Sequence, residues 1–289
     1  MKNSSKILTL VVTLFIVVFF AWWLDKFLNS KVETNNAVVS ADEPAKTISA
    51  SPTPSASPTP TPEQLTPSET SLIPILMYHH VKDWADGDNE IEQGLSVPTS
   101  DFDGQMKALS DAGYKNVTLD KLFFTPQDKK VALTFDDGYD DNLINAAPIL
   151  KKYGLTATLF VTTDFVGTPR YMNWDDLKKL VEEFGWTIGA HTKSHPNLTS
   201  IGLDQAMAEI TESKNILENN LGVKVTDFSY PAGAFDAGTI ELVKTAGYNF
   251  AVTTQGGSQN NKSTPYELKR VRINGGLGVE GFRNLMELP

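Results

Sequence analysis

From residue 71 to residue 289, seven short runs rich in β-branched and apolar residues alternate with stretches of helical period: 73–78, 131–135, 156–162, 187–190, 227–230, 248–253 and 268–273. Strand, helix and strand in repeating order argue for a parallel sheet covered by helices, either an open doubly wound sheet or a closed (β/α) barrel. Phe102, Met106 and Leu109 recur at helical spacing behind Ser100, a candidate N-cap, and Leu177, Leu180, Val181 and Phe184 repeat the pattern. Residues 206–221 and 240–246 add two further helices. The segment 71–289 has the size of a single layered or barrel domain.

Upstream the composition is different. Eighteen uncharged residues, 7–24, rich in Leu, Val, Ile and Phe, lie between Lys6 and Asp25. As a helix they reach about 27 Å, close to the hydrocarbon thickness of a bilayer. Lys2 and Lys6 place the N-terminus on the cytoplasmic side, and Trp22 and Trp23 fall at the far interface. No A-x-A-like site follows at once, so residues 1–28 read as an uncleaved single-pass anchor with everything downstream outside the cell. Residues 29–70 carry seven prolines between Pro44 and Pro67 among Ser, Thr and Ala, a solvated tether that cannot bury enough apolar surface to fold.

Charge and composition narrow the chemistry. Thirty-five acidic against 25 basic residues give a net charge of −10, and no Lys/Arg run appears, which argues against a nucleic-acid partner. The chain has no cysteine, so a metal site must use nitrogen and oxygen ligands. Five acids, Asp83, Asp86, Asp88, Glu90 and Glu92, follow the first strand and read as a solvated loop or as an attractor of cationic polymer.

All four histidines, His79, His80, His191 and His195, fall at the carboxyl ends of expected strands, the ligand face of a parallel α/β fold. There too Thr134-Phe135-Asp136-Asp137-Gly138-Tyr139 sets two adjacent carboxylates before a glycine turn. His191 and His195 have the i, i+4 spacing that would align two imidazoles on one side of a helical turn. Two histidines and one carboxylate leave open positions on a metal, and the second carboxylate is then free to handle protons. Trp84, Tyr139, Tyr171 and Trp174 lie in or near loops where aromatic rings stack on sugars.

Residues 134–139, 191–196 and 229–233 (Ser-Tyr-Pro-Ala-Gly) together resemble three ordered motifs of the polysaccharide deacetylases, the NodB-homology or carbohydrate esterase 4 family. The resemblance implies a distorted (β/α) barrel that removes acetyl groups from polysaccharides with a divalent metal, Zn or alternatively Co or Ni. It assigns Asp137, His191 and His195 as metal ligands and Asp136 as general base. Tyr230, with Pro231, matches the position whose backbone N–H stabilises the oxyanion. Two departures stand out. The arginine that tethers the base in many relatives is missing beside Ser229, leaving Arg270 or Arg272 to substitute, and no histidine follows His195 to supply the late catalytic acid. Residues 74–81 instead resemble the opening strand of the branch acting on poly-N-acetylglucosamine, where an early histidine fills that role, best matched by His79, with His80 as the alternate. The expected substrate is an N-acetylglucosamine polymer, poly-N-acetylglucosamine or peptidoglycan. An O-acetyl esterase, a carbohydrate-binding protein that kept the fold, and an iron oxygenase with the same ligand set are the competing readings.

Overall fold

The computed structural model describes residues 70–71, 73–124 and 129–289. The anchor expected over 1–28 and nearly all of the tether expected over 29–70 lie outside these. Among the described residues no helix is long and apolar enough to cross a membrane.

Each of the seven expected runs forms a strand: β1 (Ile75–Tyr78), β2 (Lys130–Phe135), β3 (Thr158–Val161), β4 (Thr187–Ala190), β5 (Asp227–Ser229), β6 (Phe250–Gly256) and β7 (Leu268–Arg272). They pair in the order β1-β7-β6-β5-β4-β3-β2, all parallel, and β1 then pairs with β2. The ring is therefore closed, which decides between the two architectures left open by the sequence. Closure runs through four register pairs, from Ile75 opposite Ala132 to Tyr78 opposite Phe135. A two-residue strand, Lys115–Asn116, adds to β2, and Thr70–Ser71 pairs antiparallel with Asn260–Asn261.

Strand periodicity divides the core in two. Ile75, Ala132, Phe160, Val252 and Leu268 belong to one buried cluster, whereas their sequence neighbours Leu76, Leu133, Leu159 and Ala251 belong to the larger one packed with the helices. The helices are α1 (Glu90–Leu95), α2 (Thr99–Asp111), α3 (Ala147–Lys152), α4 (Trp174–Phe184), α5 (Leu203–Leu221), α6 (Ala237–Thr245) and α7 (Gly278–Leu285). Helix α4 starts at a capping box between Asn173 and Asp176 and stops at Gly185, whose φ of 68° few other residues adopt cheaply.

Ser100 is not the N-cap of α2. The helix begins one residue earlier behind Pro98, which offers no side-chain cap, and Asp83 on the preceding loop accepts from the Thr99 N–H at 3.1 Å. Of the other loop acids, Asp88 accepts from the Ala85 N–H, Glu92 pairs with Arg170 of a distant loop at 3.4 Å, and Glu90 lies in the first turn of α1. These placements are in keeping with the solvated-loop reading.

Candidate active site

The carboxyl ends of β2, of β4 across β3 from it, and of β5 next to β4 carry the site. Strand β2 ends at Phe135, and the chain then turns through Asp137 and Gly138 with φ of 78° and 96°. This left-handed pair breaks the alternation, so that Asp136 and Asp137 serve different neighbours. Gly138 meets the requirement without strain; Asp137 is held there by the structure around it.

Asp136 is buried and faces Arg270 of β7, which is also buried. The guanidinium donates from Nη1 to Oδ1 at 2.8 Å and from Nη2 to Oδ2 at 2.7 Å. Arg270 also donates to the Thr253 carbonyl at 2.8 Å and to the hydroxyls of Thr134 and Ser229 at 3.2 Å, and it lies 5.9 Å above the Phe160 ring. Burial opposes ionisation of Asp136, but the Arg270 charge and its hydrogen bonds outweigh it and hold the carboxyl far below the usual range. Of the two arginines the sequence offered as a tether, Arg270 takes the place; Arg272, two residues on, is exposed.

Asp137 meets the two histidines instead. Its Oδ1 lies 3.5 Å from His191 Nε2 and 3.5 Å from His195 Nε2, and ligand atoms of the three residues fall within 4.8 Å of one another. Two ligand atoms each about 2.1 Å from a tetrahedral centre stand about 3.4 Å apart, so the spacing fits a small divalent metal. His191 Nδ1 lies 2.7 Å from the Ser229 carbonyl, which fixes the proton on Nδ1 and leaves Nε2 as the bare donor. Burial and the neighbouring His191 push His195 down, which favours its uncharged form. The convergence has a different cause from the one expected: residues 191–195 form no helical turn, and Thr192 and His195 adopt φ of 65° and 62°.

The early histidines divide. His80 is buried and bonds Asp141 Oδ2 at 2.5 Å, with the Tyr139 ring stacked on it at 3.5 Å. Asp141 also accepts from the Val81 N–H at 2.9 Å. His80 is thus a satisfied structural histidine. His79 is left facing the site, where burial pushes its imidazole down to about 4 against the pull of Asp136 and Asp137. Its carbonyl accepts from Asn142 at 2.8 Å, the first residue of a π-helical turn, a feature frequent near functional sites.

Two expectations need correction. The Tyr230 N–H donates to the Val252 carbonyl at 3.2 Å, continuing the β5–β6 ladder, and its ring is buried between Phe228 and Phe235. It is therefore not available to an oxyanion. Pro231 is buried at the start of the next short turn, where Ala232 takes a φ of 53°. Trp174 packs, half-buried, on the main core from the first turn of α4. Tyr139 does border the site: it stacks on Tyr171 at 4.8 Å, and its hydroxyl is engaged by Asp137 and Tyr171. Sequence reasoning missed Asp141 and Glu209, although the pair Asp140-Asp141 four residues beyond Asp136-Asp137 was a visible signal for the first.

A family model described as polysaccharide deacetylase matches residues 124–251, a span that includes Asp136, Asp137, His191 and His195. A relative in Bacillus subtilis (strain 168), YxkH, assigned by name to the polysaccharide deacetylases, is 34% identical over 221 residues, covering 74% of this chain and 76% of that protein. The chain belongs to the polysaccharide deacetylase family. A poly-beta-1,6-N-acetyl-D-glucosamine N-deacetylase of Staphylococcus aureus (strain MRSA252) is 26% identical to this deacetylase over 199 residues, covering 63% of this chain and 69% of the relative. Among solved structures, the Streptococcus pyogenes deacetylase PplD in complex with acetate superposes with a TM-score of 0.68 at 29% identity, over 76% of this chain and 99% of that one. IcaB from Ammonifex degensii shares the fold with a TM-score of 0.64 at 22% identity, over 77% and 100%. The protein is an enzyme that deacetylates polysaccharide. His79, directly after β1, and Arg270, on β7, lie outside the family-model match, at the two strands that complete the ring.

Proposed function

We propose that this deacetylase removes N-acetyl groups from an extracellular N-acetylglucosamine polymer, poly-N-acetylglucosamine in preference to peptidoglycan, with Asp137, His191 and His195 holding a divalent metal, Zn by preference. The observation that carries the reading is the ionised, arginine-clamped Asp136 beside a three-donor cluster of two imidazoles and a carboxylate. A metal held there supplies a Lewis acid for the acetyl carbonyl and acidifies water.

The chain's own residues do the rest. Asp136, unprotonated at pH 7 and fixed in rotation by Arg270, accepts the proton of the attacking water. His79 faces the departing nitrogen and hands it the proton it needs to leave as an amine; burial disfavours the charged imidazole, and the ring regains its proton from the one that Asp136 has taken from the water. Tyr139 and Tyr171 form an aromatic wall beside the cluster against which a sugar ring can stack.

The preference for poly-N-acetylglucosamine rests on the early histidine and on the S. aureus relative of that name. Residues 7–24 would anchor the chain in the cell membrane and residues 29–70 would carry the catalytic domain outward into polymer. Acetate release from acetylated glucosamine oligomers and from peptidoglycan, each with and without chelator, tests substrate and metal together. Equal activity with chelator present would overturn the metal-dependent reading. Recovery of the full chain from the soluble rather than the membrane fraction would overturn the anchor.

A further inference from the structure

The loop that carries two of the three metal-ligating side chains is held by a residue of another element. Glu209, on the face of α5 toward the barrel, is buried although it is a carboxylate. Its Oε2 accepts from two consecutive backbone N–H groups, Lys193 at 3.0 Å and Ser194 at 2.8 Å, and its Oε1 accepts from the Ser194 hydroxyl at 2.7 Å. Those N–H groups lie between Thr192 and His195, the two left-handed residues of the loop. On the opposite side, the Thr192 and Lys193 carbonyls accept from the backbone of Thr163 and Asp164 at 3.3 and 2.8 Å. Within the loop, the Thr192 hydroxyl accepts from the His195 N–H at 3.0 Å.

Left-handed backbone at a threonine and a histidine is costly and persists only where surrounding contacts over-determine it. Here the over-determination is visible: the Thr192 and Lys193 carbonyls are held from the Thr163–Asp164 backbone, while the Lys193 and Ser194 N–H groups and the Ser194 hydroxyl all end on the buried carboxylate of Glu209. Releasing it would let the loop relax toward ordinary φ values and swing the His195 ring away from Asp137 and His191. Since a buried carboxylate carries a desolvation cost, its retention at this place calls for a return, and the return is the geometry of the cluster.

We infer that Glu209 is a positioning residue that presets the His191–His195 loop for metal before the metal arrives, an inference that rests on the metal-site reading above. It touches neither metal nor substrate; it acts through the backbone of Lys193 and Ser194.

The test is Zn²⁺ affinity of the full chain in detergent, measured by competition with a chromophoric chelator, for the parent, Glu209→Ala, Glu209→Gln and Ser194→Ala. Glu209→Ala should weaken Zn²⁺ binding by about 10- to 100-fold, and deacetylation lost at stoichiometric Zn²⁺ should return as Zn²⁺ is raised, which a fold defect would not do. Glu209→Gln keeps an acceptor for both N–H groups and a partner for the Ser194 hydroxyl, so it should recover most of the affinity. Ser194→Ala, which removes one bond of three, should lose less than Glu209→Ala; these two variants decide the matter if Glu209→Ala does not fold. Parent-like affinity in a folded Glu209→Ala, or in both milder variants when it fails to fold with Glu209→Gln no better than Ser194→Ala, would overturn the inference alone. Absence of Zn²⁺ binding by the parent would overturn the metal-site reading and this inference with it.

Discussion

Arg270 and Asp136, 134 positions apart in sequence, face each other inside the barrel through two hydrogen bonds of 2.8 and 2.7 Å. The fork of the guanidinium matches the two carboxylate oxygens, and both groups are shielded from solvent. Such a pair is costly to break, because removal of one partner strands the other as a buried, uncompensated charge.

Arg270→Ala should therefore destabilise the protein by about 3–5 kcal/mol at neutral pH and lower turnover steeply while leaving the Asp137, His191 and His195 cluster able to bind metal. Arg270→Lys keeps the charge without the fork and should fall between the two. Because Asp136 is held below its unfolded value, the stabilisation is present above about pH 4 and disappears as the pH falls toward the depressed folded value. Chemical denaturation at several pH values, with metal binding measured alongside, checks each part. A parent-like stability of Arg270→Ala at pH 7 would contradict the clamp.

His79→Ala should reduce hydrolysis of an N-acetyl substrate by about 10²- to 10⁴-fold and spare an acetate ester with a phenolate leaving group, which departs without a proton. Metal affinity should stay at the parent value. Parallel kinetics on the two substrates make the comparison, and equal losses on both would assign His79 to something other than the leaving nitrogen.

The barrel itself was readable, because buried parallel strands advertise themselves as apolar β-branched runs; all seven appear within a few residues of their expected limits. So was the trio Asp137, His191 and His195, whose types and order are chemically unusual and whose side chains the fold brings together. What could not be read was how backbone conformation delivers them. The spacing of His191 and His195 suggested a helical turn, whereas a left-handed loop does the work, and nothing in the residues Thr192 and His195 announces positive φ. Arg270 and Arg272 were indistinguishable in sequence, since the choice depends on which residues of β7 face inward; the irregular register against β6, where Leu268 opposes Val252 and Arg270 opposes Gly256, is a tertiary fact. Glu209 reads as one more polar position of an amphipathic helix until the loop it caps is seen. The Tyr230 N–H was lost to the oxyanion for a similar reason, a ladder bond that only strand adjacency reveals.

Asp227 gives a prediction at the first residue of β5. Burial pushes its carboxyl up to about 7, with a 3.3 Å hydrogen bond from Thr226 and the Lys214 charge in partial relief. The folded value lies above the unfolded value of about 3.9, so the native state binds the proton more tightly. Stability on this account is greatest below about pH 4, declines as the pH rises from there to about 7, and is level above. Asp227→Asn should raise the melting temperature at pH 8, by the equivalent of roughly 1–3 kcal/mol, and should make little difference at pH 4. Thermal unfolding at the two pH values decides, and a variant less stable than the parent at pH 8 would show that the carboxylate is accommodated.

Asp141→Ala would strip both His80 and the Val81 N–H of their buried acceptor. Each orphaned donor costs about 1–3 kcal/mol, so the variant should unfold at markedly lower denaturant than the parent, and Asp141→Asn, which keeps one acceptor oxygen, should lose less. Urea titrations of the three proteins test the order.

The pairing of β1 with both β2 and β7 has a temporal consequence. A ribosome delivers β1 early and β7 almost two hundred residues later, so the first strand must wait with one flank bare until the last is available. Arg270 arrives on that same last strand. A nascent or truncated chain ending before Leu268 would thus carry all three metal-ligating side chains and an Asp136 with no counter-charge, and hydrolytic competence would be the final property the polypeptide gains during its synthesis.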